Sequence, residues 1–189
     1  MDCERTFGIQ TTDRTKSAPT TAYNGSPGSP APADAERSAK KNMRTEIKIL
    51  ASSDKAILLN VADGIFDHGI DINHTVEFLE DPRHHLAVAI DDGLVVGFAS
   101  GVHYIHPDKE PELWINEVGI ASTHRNRGLA KRILQALLDV GRGLGCKEAW
   151  VLTDRANIPA MQLYTSLGGV EAPKDQVMFT FHFTKKETK

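Results

Sequence analysis

The segment Glu117-Val118-Gly119-Ile120-Ala121-Ser122-Thr123-His124-Arg125-Asn126-Arg127-Gly128-Leu129-Ala130 decides the fold. Its opening residues close an apolar run that starts at Leu113, which reads as a buried strand ending near Ala121. A short polar, basic loop follows. Leu129, Ile133, Leu137, Val140 and Leu144 then recur every three or four residues, aligning one apolar stripe on a helix over Gly128–Leu144. The loop thus lies at a helix N-terminus, where unpaired N–H groups and the helix dipole both favour an anion. Gly128 and the small Ala130 let phosphate oxygens approach the backbone, and Arg125 and Arg127 add charge-assisted donors. There is no Gly-x-x-x-x-Gly-Lys-Ser/Thr, which excludes a P-loop, and no Gly-x-Gly-x-x-Gly after a first strand.

Working outward, Glu46–Leu50 reads as a first strand. Asp54–Phe66 carries Ile57, Leu58, Val61 and Ile65 at helical spacing, with Ser53 or Asp54 as N-cap. A second helical piece spans Asn73–Leu79, with Pro82 just beyond it. The apolar runs His85–Ile90 and Leu94–Tyr104 are joined by Asp91-Asp92-Gly93, a hairpin signal. A third run, Leu113–Ala121, follows the polar loop Pro107–Pro111. After the central helix come a strand at Ala149–Thr153, a helix at Pro159–Leu167 and a last strand at Val177–Phe183. The order β-α-α-β-β-β-α-β-α-β is that of a mixed α/β (α+β) domain. Its first half is antiparallel, which argues against a doubly wound dinucleotide fold.

Residues 1–43 are a different material. Ser, Ala, Pro and Gly dominate 16–42, and no apolar pattern there repays the entropy of ordering. The expectation is a disordered leader or tag over 1–43, Met43 being a sensible start, and a single domain over 44–189. The whole chain has 22 Lys and Arg against 25 Asp and Glu, a formal −3. The leader holds about equal numbers of each sign, so the body carries the acidic excess. Nucleic acid is a poor partner for such a surface, and a cationic ligand a better one. No apolar stretch approaches the roughly 18 residues needed to cross a bilayer, and the first residues lack the apolar core of a secretory signal. The two cysteines, Cys3 and Cys146, lie far apart, consistent with free thiols in a reducing, cytoplasmic setting.

A second motif follows the fifth strand: Asn157-Ile158-Pro159-Ala160-Met161-Gln162-Leu163-Tyr164-Thr165-Ser166-Leu167-Gly168-Gly169. Asn157 suits an N-cap, Pro159 a first turn and Gly168 a C′ position. Together with Arg125-x-x-Gly128-x-Ala130, this resembles the GNAT superfamily of N-acetyltransferases over about Arg44–Phe183. The resemblance implies the GNAT fold and acetyl-CoA as acetyl donor. It implies that Arg125, Asn126, Arg127, Gly128, Leu129 and Ala130 hold the pyrophosphate. The backbone at Val118, Gly119 and Ile120 would meet the acetyl carbonyl or pantetheine, Asn157 would contact the cofactor, and Tyr164 would lie near its sulfur. Asn126 departs from the glycine common at that position. Homodimerisation is a family expectation.

Acetyl transfer to an amine requires the amine to lose a proton, and the departing thiolate benefits from gaining one. Glu117 stands where the apolar run should continue, a costly place for a carboxylate unless it is used or paired. It is the candidate general base, and the phenol Tyr164 the candidate general acid. The strand around Glu117, the Leu163–Gly168 helix end and Val177–Phe181 look like the type I aminoglycoside 3-N-acetyltransferases, in which Glu112 would be the matching upstream acid. That likeness implies an aminoglycoside acceptor, modified at its 3-amino group to confer antibiotic resistance; another small amine, an amino acid or a protein N-terminus is the alternative. Glu112, Glu117, Asp154 and Asp175 are the candidate acidic walls for such a polycation. No metal is required, and His103-x-x-His106 lacks a carboxylate or thiol at ligand spacing.

Overall fold

The computed structural model describes residues 45–172 and 178–181. Five strands, β1 (Glu46–Ile49), β2 (His84–Asp91), β3 (Leu94–Tyr104), β4 (Glu112–Ile120) and β5 (Glu148–Val151), form one sheet in sequential order. The first four are antiparallel, and β5 joins β4 in parallel. A parallel neighbour needs a crossover, which α2 (Leu129–Gly143) provides. The other helices are α1 (Ile72–Glu80) and α3 (Ile158–Ser166). The sheet, its direction changes and the helix between β4 and β5 follow the sequence reading.

The hairpin between β2 and β3 turns on Asp92 and Gly93, with φ of 51° and 78°. Both central residues have positive φ, as the twist-matched two-residue turn demands. α1 starts at Asp71, whose carboxylate accepts the N–H groups of Asn73 and His74. α2 lays Ile133, Leu134 and Leu137 on Leu113, Ile115, Val118 and Ile120 of β4, all buried. Gly141 of α2 closes on Leu113 so tightly that a Cβ there would lie 3.0 Å from a leucine methyl.

Two expected elements differ. The segment expected as a helix over Asp54–Phe66 forms only a 3-10 helix, Ser52–Leu59. Asn60 ends it by spending its side-chain amide on the Gly93 carbonyl, 2.9 Å away, and Val61 then bridges to Val95 of β3. Leu58 and Ile65 still reach the core, so the apolar spacing reported burial rather than helix. Its first turn is closed by the Asp54 carboxylate reaching back to the Ala51 N–H at 3.0 Å, not by a cap at Ser53 or Asp54. Of the strand expected over Val177–Phe183, residues Met178–Phe181 carry no strand pairing and are exposed, and the rest lies outside the described residues. The leader over 1–43 also lies outside them.

Leu137 is completely buried against the sheet. Replacing it by Ala should cost about 3 kcal/mol in urea unfolding; a loss below roughly 1 kcal/mol would mean that α2 does not clamp the sheet as described.

Candidate active site

β4 contains one residue more than β3 requires. Ser100 pairs with Glu117 and the next residue, Gly101, pairs with Ile115, leaving Asn116 as a bulge. This extra residue decides where Glu117 points. Leu113 packs on Gly141 and Leu137 of α2, so Trp114 faces away from α2. Beyond the bulge, Ile120 lies beside Ile133 of α2, whereas Gly119 lies against Phe98, whose ring stacks on Phe66 on the other face. Counting back from Gly119, Glu117 shares that second face with Trp114. Strict alternation from Trp114 would have sent it under α2.

β5 pairs with β4 only as far as Ile115↔Val151. Beyond that the two strands separate, and Asn116–Ile120 has no partner on that edge among the described residues. Alternate backbone N–H and C=O groups of β4 therefore open into the gap, Val118 to Ile120 included. Gly119 is required at this point. A Cβ there would lie 2.6 Å from the Ile65 carbonyl oxygen and 2.7 Å from the Phe98 ring.

Glu117 lines a small cavity with Gly64, Ile65, Val118, Gly119, Ile120 and Arg125. Burial, aided by the negative charge of Asp67, pushes its carboxyl up to about 7. It is thus poised to exchange a proton near neutral pH.

The cradle adjoins this cavity through Arg125. Its guanidinium Nε donates to the Ile120 carbonyl at 3.4 Å, and Arg127 donates to the Thr123 carbonyl at 3.0 Å. Asn126 (φ 60°) and Gly128 (φ 73°) both adopt left-handed backbone. Asparagine tolerates that conformation better than other side chains, which accounts for its standing where the family commonly has glycine. The first bond of α2 runs from Arg132 N–H to the Gly128 carbonyl, so the N–H groups of Leu129, Ala130 and Lys131 precede it. Gly128 supplies no side-chain cap, and the space where its Cβ would stand is open to at least 4 Å. His124 fastens the loop to the hairpin end: Nε2 lies 3.0 Å from Asp91 Oδ2, and Nδ1 lies 2.8 Å from Thr123 Oγ1.

These observations fit a diphosphate-bearing donor. A first turn without a side-chain cap, open space beside Gly128 and two nearby guanidiniums are features that could hold an anion. Past the end of β5, the buried Thr153 Oγ1 has no hydrogen-bond partner among the described residues.

The remaining expected residues divide. Asn157 caps α3, its Oδ1 accepting from Ala160 N–H at 3.3 Å. Tyr164 lines a different cavity from Glu117, between α2, α3 and β5, with Ile115, Leu134, Leu138 and Val151. Burial pushes its phenol up to about 12. Glu112 is not a bare acidic wall: it accepts from Tyr104 OH at 2.5 Å and pairs with Lys109, which hold it below the usual carboxylate range. Asp154 accepts the Ala156 N–H at 2.7 Å and so shapes the β5–α3 loop. Asp175 lies outside the described residues. His103 and His106 have separate partners, His85 at 2.8 Å and Glu112 at 3.8 Å.

Asp67 escaped the sequence reading, because it sits in no motif and only the fold brings it near Glu117. Trp114 and Trp150 also escaped it; their rings stack 5.1 Å apart on the same face as Glu117.

The chain is similar to several known proteins. The chain is 38% identical over 73 residues to the L-2,4-diaminobutyric acid acetyltransferase of Oceanobacillus iheyensis, covering 39% of this chain and 38% of that protein. It is 28% identical over 96 residues to an aminoglycoside N(6′)-acetyltransferase type 1 of Salmonella typhimurium, covering 48% of this chain and 66% of that protein. The alignments thus span only part of these relatives. The crystal structure of aminoglycoside acetyltransferase meta-AAC0020, from an uncultured soil metagenomic sample, superposes with a TM-score of 0.64 at 20% identity. That superposition covers 77% of this chain and 99% of the other, and it shows a shared fold. The family model described as "Acetyltransferase (GNAT) family" matches residues 58–168, from the 3-10 helix through the end of α3. With the splayed β4–β5 pair and the glycine-led helix between them, that match shows that the chain belongs to the GNAT acetyltransferase family.

Proposed function

We propose that the protein transfers an acetyl group from acetyl-CoA to a primary amine of a polycationic amino sugar, an aminoglycoside. The observation that carries this reading is the Glu117 carboxyl, held near neutrality beside a helix-terminal anion cradle. Acetyl-CoA, when bound, supplies a thioester-activated acetyl group. Leu129, Ala130 and Lys131 would hold its diphosphate through backbone N–H groups, with Arg125 and Arg127 supplying charge.

Glu117 takes the proton of the acceptor ammonium, directly or through a water. Its second charged neighbour, Asp67, helps to draw the cation in as well as to raise the carboxyl. Tyr164 keeps its phenolic proton throughout the physiological range and is the donor available to a departing thiolate. Transfer is direct, in a complex of both substrates, without a covalent enzyme intermediate.

The resemblance noted in the sequence implies the 3-amino group as the site of acetylation. The Salmonella relative is named for the 6′ position, and the Oceanobacillus relative for 2,4-diaminobutyric acid. The second of these supports an amino-acid acceptor as the competing reading. Incubation with acetyl-CoA and an acceptor panel of amino sugars, diaminobutyrate and peptides, with NMR mapping of the products, separates them. Acetylated amino sugar supports the proposal; turnover of diaminobutyrate or peptide alone contradicts it.

Glu117→Gln should lower kcat by about 100-fold while leaving the KM for acetyl-CoA unchanged. In the wild type, kcat/KM should fall as pH drops below about 7, because the base becomes protonated there. The glutamine variant should lack that inflection. An unchanged kcat, or an unchanged profile, removes Glu117 as the base. Tyr164→Phe should reduce kcat by about tenfold at constant acetyl-CoA KM; wild-type turnover would leave Tyr164 a packing residue.

A further inference from the structure

We propose that the stacked indoles of Trp114 and Trp150 form an acceptor platform, on which one ring of a cationic amino sugar lies while its reactive amine reaches Glu117. The inference rests on the reading of Glu117 as the base.

Trp114 and Trp150 are direct neighbours across the β4–β5 pairing, their rings 5.1 Å apart and 7° from parallel. The Asn116 bulge puts Glu117 on their face of the sheet. The partners of Glu117 and Trp114 on β3, Ser100 and Val102, are two residues apart. The carboxylate-bearing residue and the indole are therefore separated by roughly 7 Å along the strand. That is close to the width of one sugar ring.

Other side chains hold the platform in place. Trp150 Nε1 donates to Tyr104 OH at 2.7 Å, and Tyr104 OH in turn donates to Glu112 at 2.5 Å. Lys109 completes the chain at the second Glu112 oxygen. The Tyr104 ring meets Trp150 edge-on, with centroids 6.4 Å apart. The indole N–H is thus satisfied within the protein, and a ligand meets only the apolar, electron-rich part of Trp150. Despite these contacts Trp150 remains 36% exposed, on the outermost strand among the described residues. Helix α1 packs toward β2 on the same face, where Phe78 stacks on His84.

Charge selects the occupant. An aromatic face attracts ammonium-bearing and polarised C–H surfaces, and Glu117 with Asp67 supplies negative charge at one end of the platform. A ring carrying several ammonium groups satisfies both features at once. A linear diamine or an amino acid reaches Glu117 without needing the platform. The indoles therefore provide discrimination between ring-bearing and linear amines, and take no part in the chemistry.

The test is steady-state acetylation by the full chain of neamine, which bears ammonium groups on two rings, and of L-2,4-diaminobutyrate, in wild type, Trp114→Ala and Trp150→Leu. The leucine variant keeps apolar bulk at the strand edge, and tryptophan fluorescence with neamine and CoA reports binding apart from turnover. Expected are a roughly tenfold rise in neamine KM in each variant, with kcat and the acetyl-CoA KM near wild type, and quenching of wild-type fluorescence by neamine. Any diaminobutyrate KM should stay unchanged. Neamine turnover with an unaltered KM in Trp150→Leu overturns the platform alone and leaves the function standing. Equal losses for both amines overturn it as well, since the residues would then merely support the fold. A wild-type enzyme that acetylates diaminobutyrate but not neamine overturns both the platform and the amino-sugar reading.

Discussion

A single extra residue in β4 sets the chemistry of this molecule. Asn116 has no partner on β3, and this one-residue slip carries Glu117 to the open face while Val118 and Ile120 stay under α2. It also coincides with the point where β4 and β5 part company. Bulges increase local twist and interrupt pairing. One backbone irregularity thus frees a strand edge for a ligand and aims a carboxylate beside it. The arrangement costs stability. A carboxyl raised from 4.5 to about 7 binds its proton more tightly folded than unfolded, so folding loses free energy as pH rises through that interval. Substituting an uncharged residue would relieve the cost, which marks the carboxylate as retained for use.

The donor side depends on the same strand. β4 leads through Ala121 into the Arg125–Gly128 loop, and α2 begins at Gly128 without a side-chain cap. The Asp91–His124 contact joins this loop to the β2–β3 turn, so the cradle is braced by the antiparallel half of the sheet as well as by α2. A rigid strand, a braced loop and a buried helix stripe together hold the two halves of the site at a fixed separation. Tyr164, reached across the gap from α3, lies in a separate cavity on the α2 side. The sheet thus separates the cavity lined by Tyr164 from the one lined by Glu117.

Much of this was legible in the residue order. The strand–loop–helix of Glu117–Ala130 gave the crossover, because local spacing alone encodes an amphipathic helix and its start. Glu117 stood out since a carboxylate inside an apolar run needs a reason. What failed depended on long-range partners. The Asp54–Phe66 spacing looked helical, yet Asn60 found the Gly93 carbonyl and Val61 found β3, contacts more than 30 residues away in sequence. Asp67 and the tryptophan pair carry no motif: only the fold brings Asp67 near Glu117, and only the β4–β5 register brings the two indoles together. The bulge itself cannot be counted from β4 alone, because it is defined by its mismatch with β3.

The most direct measurement is a carbon-13 NMR titration of the glutamate side-chain carboxyls, with Glu117 assigned from its glutamine variant. The account predicts a Glu117 midpoint near pH 7 that falls toward the ordinary carboxylate range when Asp67 is replaced by Asn. A midpoint near 4.5, insensitive to Asp67, would show a solvated side chain and contradict the placement of Glu117 in the gap.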